Sequence, residues 1–130
     1  MALTPGLTAE VSAVVGPENM ASAIGSGGVD VFSTPMLIAL MEGAAYQAVQ
    51  PHLNPGETTV GTLVNVKHLA ATPGGLTVRA VARLEAVDGR RLVFAVEAFD
   101  DREKVGEGSH ERVVVTLDRF LARVQQKGLS

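Results

Sequence analysis

The segment Phe32 to Pro51, FSTPMLIALMEGAAYQAVQP, is an apolar run with a single formal charge, Glu42, near its centre. Thr34 and Pro35 supply a helix start, because a hydroxyl can accept from an orphan amide and proline at the first helical position forfeits no hydrogen bond. The spacing predicts a helix from Pro35 to about Val49, stopped by Pro51. On it Ile38, Ala39, Glu42, Ala45, Tyr46 and Val49 share one face, and the opposite face, with Met36, Leu40 and Ala44, is apolar too. A helix that is apolar all round must be surrounded by protein. A carboxylate in such a helix is costly unless it is paired, hydrogen-bonded or protonated, so Glu42 is a candidate functional residue.

The flanking sequence supplies the wrapping. Leu7, Ala9, Val11, Ala13 and Val15 alternate with small or polar residues, the period of a half-buried strand that Gly16-Pro17 ends. Residues Glu18 to Val31, with Gly25-Ser26-Gly27-Gly28, read as a loop bordering the site. After Pro55-Gly56, strand character runs over Thr58 to Ala70, Leu76 to Val87, Arg91 to Phe99 and Val105 to Leu117. Their connections are short: Thr72-Pro73-Gly74-Gly75, then Asp88-Gly89 of the type I′ hairpin kind, then Asp100-Asp101-Arg102. Leu117, Phe120, Leu121 and Val124 predict a last amphipathic helix over Leu117 to Gln126.

Long antiparallel strands twist and can curl around one apolar helix. The order β-α-β-β-β-β-α therefore predicts an α+β hotdog fold: an antiparallel sheet of about five strands wrapped around a central helix, with a short C-terminal helix. Hotdog domains pair their sheets edge to edge, which removes an exposed edge strand, so a homodimer or dimer of dimers is expected.

At 130 residues, with 46% hydrophobic and 4% aromatic residues, the chain fits one domain, residues 1–130, with an aliphatic core. A net charge of -3 argues against nucleic acid, whose binding needs a basic face. Glu42 and Gly43 interrupt the longest apolar run before it reaches membrane-spanning length, and no basic leader precedes an apolar stretch, so a soluble cytoplasmic protein is expected, with no membrane partner. Without cysteine there is no disulfide framework and no thiolate nucleophile.

Strand alternation places Val60, Thr62, Val64, Val66 and His68 on one face. If that face covers the helix, the His68 imidazole and the Glu42 carboxylate enter one dry region, and each accounts for the burial of the other. Thr34, as a helix cap, lies about 12 Å along the axis from Glu42, so an extended substrate or a second subunit's copy is needed for both to act together. Gly43, inside the helix, implies close packing or else room for a ligand, with close packing the expectation. Gly61, among β-branched residues, implies a bulge or a close backbone approach, and its N–H is a candidate oxyanion donor. His110 and Glu111 alternate faces and the three histidines are scattered, so no metal centre is expected. Arg112 shares a face with His110, Val114 and Thr116 and reads as a surface residue. Lys67, Arg79, Arg83, Arg90 and Arg91 form a solvated face from which some can meet substrate phosphates.

FSTPMLIALMEGAAYQAV, VGTLVNVKHLAATPGGLTV, LEAVDGRRLVFAVEAFD and GEGSHERVVV together resemble the fluoroacetyl-CoA thioesterase branch of the hotdog thioesterases, over most of Phe32 to Lys127. The resemblance implies hydrolysis of an acyl-CoA thioester with no metal or redox cofactor. It implies catalytic roles for Thr34 in FSTP, Glu42 in LMEG and His68 in VKHL, and substrate-binding roles for Gly61 in VGTL and Arg112 in SHERV. The fluoroacetyl enzyme is associated with aromatic side chains in the lid before the helix, whereas Ile24 to Val31 is IGSGGVDV. A different, broader range of short or medium acyl groups is the expectation. The alternative is a non-catalytic dimeric module for acyl-CoA or another apolar ligand, which has no need of an acid facing an imidazole.

Overall fold

The computed structural model describes residues 2–128. In chain order the elements are β1 (Thr8–Val14), α1 (Ala21–Ile24), α2 (Thr34–Val49), β2 (Glu57–His68), β3 (Thr77–Asp88), β4 (Arg91–Phe99), β5 (Lys104–Thr116) and α3 (Leu117–Lys127). All strand pairs are antiparallel and the sheet order is β1-β3-β4-β5-β2, so β2 is an edge. This is the hotdog arrangement, a sheet curled around α2. The segment 18–31 is more ordered than a plain loop: a 3-10 turn at Pro17–Asn19 precedes α1, and single bridges tie Met20 to Phe32 and Val31 to Pro73.

The core stripe of α2 is Leu37, Met41, Ala44, Ala45, Ala48 and Val49, all buried. It packs on Val78, Ala80, Ala82 and Leu84 of β3 and on Leu92, Phe94, Val96 and Ala98 of β4. Removing each large aliphatic side chain from water contributes roughly 1.5–3 kcal/mol. The small alanines on β3 let the helix sit close, and α2 lies chiefly over β1 and β3 rather than over β2. The expectation that α2 is surrounded by protein therefore fails within one chain. Ala39, Tyr46 and Gln47 are exposed, and Ile38 and Glu42 are half-buried. Gly43 also departs from expectation, since a Cβ there would have nothing within 4 Å.

The cap of α2 is Ser33, whose buried Oγ accepts from the Met36 N–H at 3.3 Å. Thr34 is thus released from the capping role its place before Pro35 suggested. The β3–β4 hairpin turns through Gly89 and Arg90, with positive φ at Gly89 (61°) alone, the pattern of a II′ turn rather than I′.

β2 carries a bulge. Gly61 pairs with Arg112 and Leu63 with Glu111, leaving Thr62 as the extra residue. The bulge shifts the alternation by one. Thr59 and Gly61, opposite Val114 and Arg112, join Val64, Val66 and His68 on the inner face, and Val60 turns outward. The single-face reading of Val60 through His68 is corrected accordingly. Close to the end of β2, a Cβ on Gly106, opposite His68, would lie 2.9 Å from Met41 Cε and 3.0 Å from Leu37 Cδ2. A side chain there would push the ends of Met41 and Leu37 aside, so the glycine lets the first half of α2 seat close on β5.

The last helix has the predicted amphipathic stripe, but Leu117, Leu121 and Val124 are 41%, 44% and 52% exposed. No helix among the described residues is long and apolar enough to cross a membrane.

Candidate active site

The predicted site residues fall into two groups within one chain. At the start of α2 and the end of β2, Thr34 Oγ1 and His68 Nδ1 are 2.7 Å apart. Both line an open groove of roughly 410 Å³ together with Ser26, Val29 and Val31. The His68 Nε2 is buried and without a hydrogen-bond partner. Burial pushes the imidazole below its ordinary value of 6.5, against an opposing backbone interaction at Ala70. His68 is therefore uncharged at neutral pH and able to take a proton.

The second group surrounds Gly61. A Cβ built there would lie 3.0 Å from Glu42 Oε2, 3.2 Å from His110 Cε1 and 3.5 Å from Arg112 Nη1. The absent side chain is what lets these three side chains converge on one point of the edge strand. No hydrogen bond from a described residue reaches the Glu42 carboxylate. Gly61 and His68 are separated by most of β2, roughly 20 Å at strand rise. The imidazole beside Glu42 in its own chain is accordingly His110, not His68.

Arg112 is not the surface residue its alternation suggested: it is 7% exposed. Its Nε donates to Thr59 Oγ1 at 2.8 Å and its Nη2 to the Thr59 carbonyl at 3.0 Å, while the guanidinium stands 5.9 Å from the centre of the Tyr46 ring. Desolvation lowers its pKa, opposed by the charge of Glu42 and by Tyr46, and it stays cationic. The Glu42 carboxylate thus offsets part of the cost of burying Arg112.

His110, which alternation alone left unassigned, is 1% exposed and packs on Phe94 with ring centres 6.1 Å apart. Desolvation lowers its pKa first, with the Leu63 carbonyl opposing and Arg112 reinforcing. The available signal was its place two residues before Arg112 on a strand whose inner face continues to Val114. Among the described residues, no group of three His, Asp or Glu side chains could hold a metal ion.

A curled sheet around one helix, with a carboxylate and a threonine–histidine pair opening onto its surface, has the architecture of the hotdog thioesterases. A solved thioesterase superfamily member from Thermus thermophilus is 30% identical, with a TM-score of 0.91 over 98% of this chain and 96% of its own. Residues 15–118 match the fluoroacetyl-CoA-specific thioesterase family, and the chain belongs to that family. The fluoroacetyl-CoA thioesterase of Streptantibioticus cattleyicolor is 48% identical over 98 residues, which is 75% of this chain and 70% of the relative. A solved structure of the fluoroacetyl-CoA thioesterase FlK superposes with a TM-score of 0.90 and 38% identity, covering 98% of each chain, and a FlK variant has been solved with acetyl-CoA.

Proposed function

We propose that this protein hydrolyses acyl-CoA thioesters to the free acid and CoA, through a site completed across a two-fold dimer. The observation that carries the reading is the Glu42 carboxylate held against Gly61 without a hydrogen bond from any described residue, far along β2 from the Thr34–His68 pair. A thioesterase needs a carboxylate and a proton carrier on the same carbonyl. One chain supplies both, but at different ends.

A second copy resolves the separation. β2 is a twelve-residue edge whose centre exposes Leu63 (45%) and Val64 (40%). Pairing β2 with its own copy about a two-fold axis through Asn65 sets His68 opposite the Gly61–Thr62 bulge of the other copy, inner face to inner face. It buries the exposed apolar edge and sets Thr34 and His68 of one chain beside Glu42 of the other. Each dimer then holds two such sites.

In that site the thioester carbonyl lies at the Gly61 backbone, with the Arg112 charge behind it. Either Glu42 adds to the carbonyl and the C–S bond breaks, leaving a mixed anhydride that water then hydrolyses, or Glu42 takes the proton of a water that adds to the carbonyl directly. In both routes that water supplies the proton, which His68, oriented by Thr34, relays to the departing CoA thiolate. The groove beside Thr34 and His68 holds part of the substrate. Its lid carries Ser26, Gly27, Val29 and Val31 and no aromatic side chain before Phe32, which fits short or medium acyl groups without halogen selection. The protein acts in the cytoplasm as a soluble single-domain enzyme without a metal or redox cofactor.

The experiment is thiol release from a panel of acyl-CoAs by wild type, Glu42→Ala and His68→Ala. Turnover by wild type that both substitutions abolish supports the reading. Turnover that survives both removes the site, and absence of turnover on every thioester leaves a binding module.

A further inference from the structure

The mechanism above leaves one fully buried titratable side chain without a role. His110 sits in β5 between the bulge of β2 and Arg112. Its Nε2 is 3.2 Å from Arg112 Nη1, and its Nδ1 is 2.8 Å from the Leu63 carbonyl. A guanidinium can only donate, so Nε2 is the acceptor and the single ring proton sits on Nδ1, which donates to Leu63. A second proton would set N–H against N–H. Both nitrogens are committed, and no lone pair is left for a substrate.

What the ring holds in place is otherwise weakly determined. A bulge interrupts the regular ladder, so the backbone there is held by fewer regular pairs than the rest of the strand. Here β5 pins it twice: Thr62 Oγ1 donates to the Glu111 carbonyl at 3.2 Å, and His110 grips Leu63. Arg112 is anchored through Nε and Nη2 to Thr59, and because the guanidinium is one rigid plane its Nη1 is thereby aimed at His110 Nε2, which accepts from it. The ring edge also forms the floor under Gly61. The charged groups acting on the imidazole are Arg112, Glu42 and Glu111.

The geometry points to His110 as a positioning residue: its uncharged imidazole ties the β2 bulge to the Arg112 guanidinium, donating to Leu63 and accepting from Nη1, and thereby fixes the place at Gly61 where the thioester carbonyl is held. This rests on the reading of Gly61 as the carbonyl site. His110 does not exchange protons with the substrate, in contrast to His68.

The test pairs kinetics with a direct view of the ring. With acetyl-CoA as substrate, His110→Ala lowers kcat by about 10- to 100-fold with KM within about threefold, the pattern of lost transition-state organisation. His110→Asn, whose amide can still donate to Leu63, recovers part of that loss, and the inflections of the pH–rate profile stay where they are in wild type. Nitrogen-15 NMR of wild type shows the Nδ1–H tautomer from about pH 6 to about pH 8. Wild-type kcat in a folded His110→Ala, loss of a limb of the pH profile, failure of Asn to rescue, or an imidazolium or Nε2–H signal would each overturn the assignment. If neither variant folds, the tautomer decides. A wild type inert on every thioester removes the hydrolase reading separately, while the ring signal still tests the lock.

Discussion

Thr34 Oγ1 lies 2.7 Å from His68 Nδ1 because Ser33, not Thr34, caps the central helix. The two adjacent hydroxyls therefore have separable roles. Thr34→Val should lower kcat by at least about tenfold while leaving stability within about 0.5 kcal/mol of wild type, since an exposed side chain is altered. Ser33→Ala should cost about 1 kcal/mol of stability through the lost cap and affect kcat less. Paired kinetics and urea unfolding check this; a reversed pattern would return the cap to Thr34.

Gly61 is the point where side-chain space is claimed by its neighbours. Gly61→Ala places a Cβ 3.0 Å from Glu42 Oε2 and 3.2 Å from His110 Cε1, so the carboxylate and the ring must yield. A fall in kcat of about 100-fold is expected, comparable to removing an oxyanion donor. Steady-state kinetics on a variant of near-native circular dichroism measures it, and unchanged kcat would move the carbonyl site elsewhere.

The pH dependence follows from the direction of the His68 shift. Burial lowers its pKa, so the neutral, proton-accepting ring persists as pH falls past 6.5 and is lost only below that value. The acid limb of kcat/KM should have its midpoint below 6.5, and His68→Gln should abolish turnover. Stability takes the same sign. Native His68 and His110 resist a proton that the unfolded chain accepts near 6.5, so the urea midpoint should be lower at about pH 5.5 than at about pH 7.5. A limb centred above 6.5 would contradict a desolvated general base.

Much of this molecule could be read before its coordinates. The central helix, the β-meander and the hairpin at Asp88-Gly89 follow from local periodicity and turn chemistry, which act over a few residues. Glu42 stands out because a charge in an apolar helix is conspicuous, and Gly61 because glycine is foreign to a β-branched run. Alternation fails where the bulge at Thr62 inserts one residue and exchanges the faces of β2. The burial of Arg112 depends on Thr59, 53 residues away in sequence, so no local pattern carries it. His110 was hidden for the same reason: its partners Leu63 and Gly61 reach it only through the β2–β5 pairing.

The open edge of β2 gives a prediction about assembly. Leu63→Lys with Val64→Glu puts charge at the middle of an exposed apolar edge, a device that blocks edge-to-edge pairing. Sedimentation should show dimers for wild type and monomers for this variant, and turnover should fall with dimer content. A fully active monomer would contradict a shared site.

Mixing two inactive variants tests the central claim most directly. Glu42→Ala and His68→Ala chains, denatured and refolded together, form mixed dimers in which one site draws Glu42 from one chain and His68 from the other. The account predicts recovery of roughly a quarter of wild-type activity, because random pairing makes half the dimers mixed and each has one intact site of two. Activity no higher than that of either variant alone would show that both residues act from the same chain, and would contradict the account.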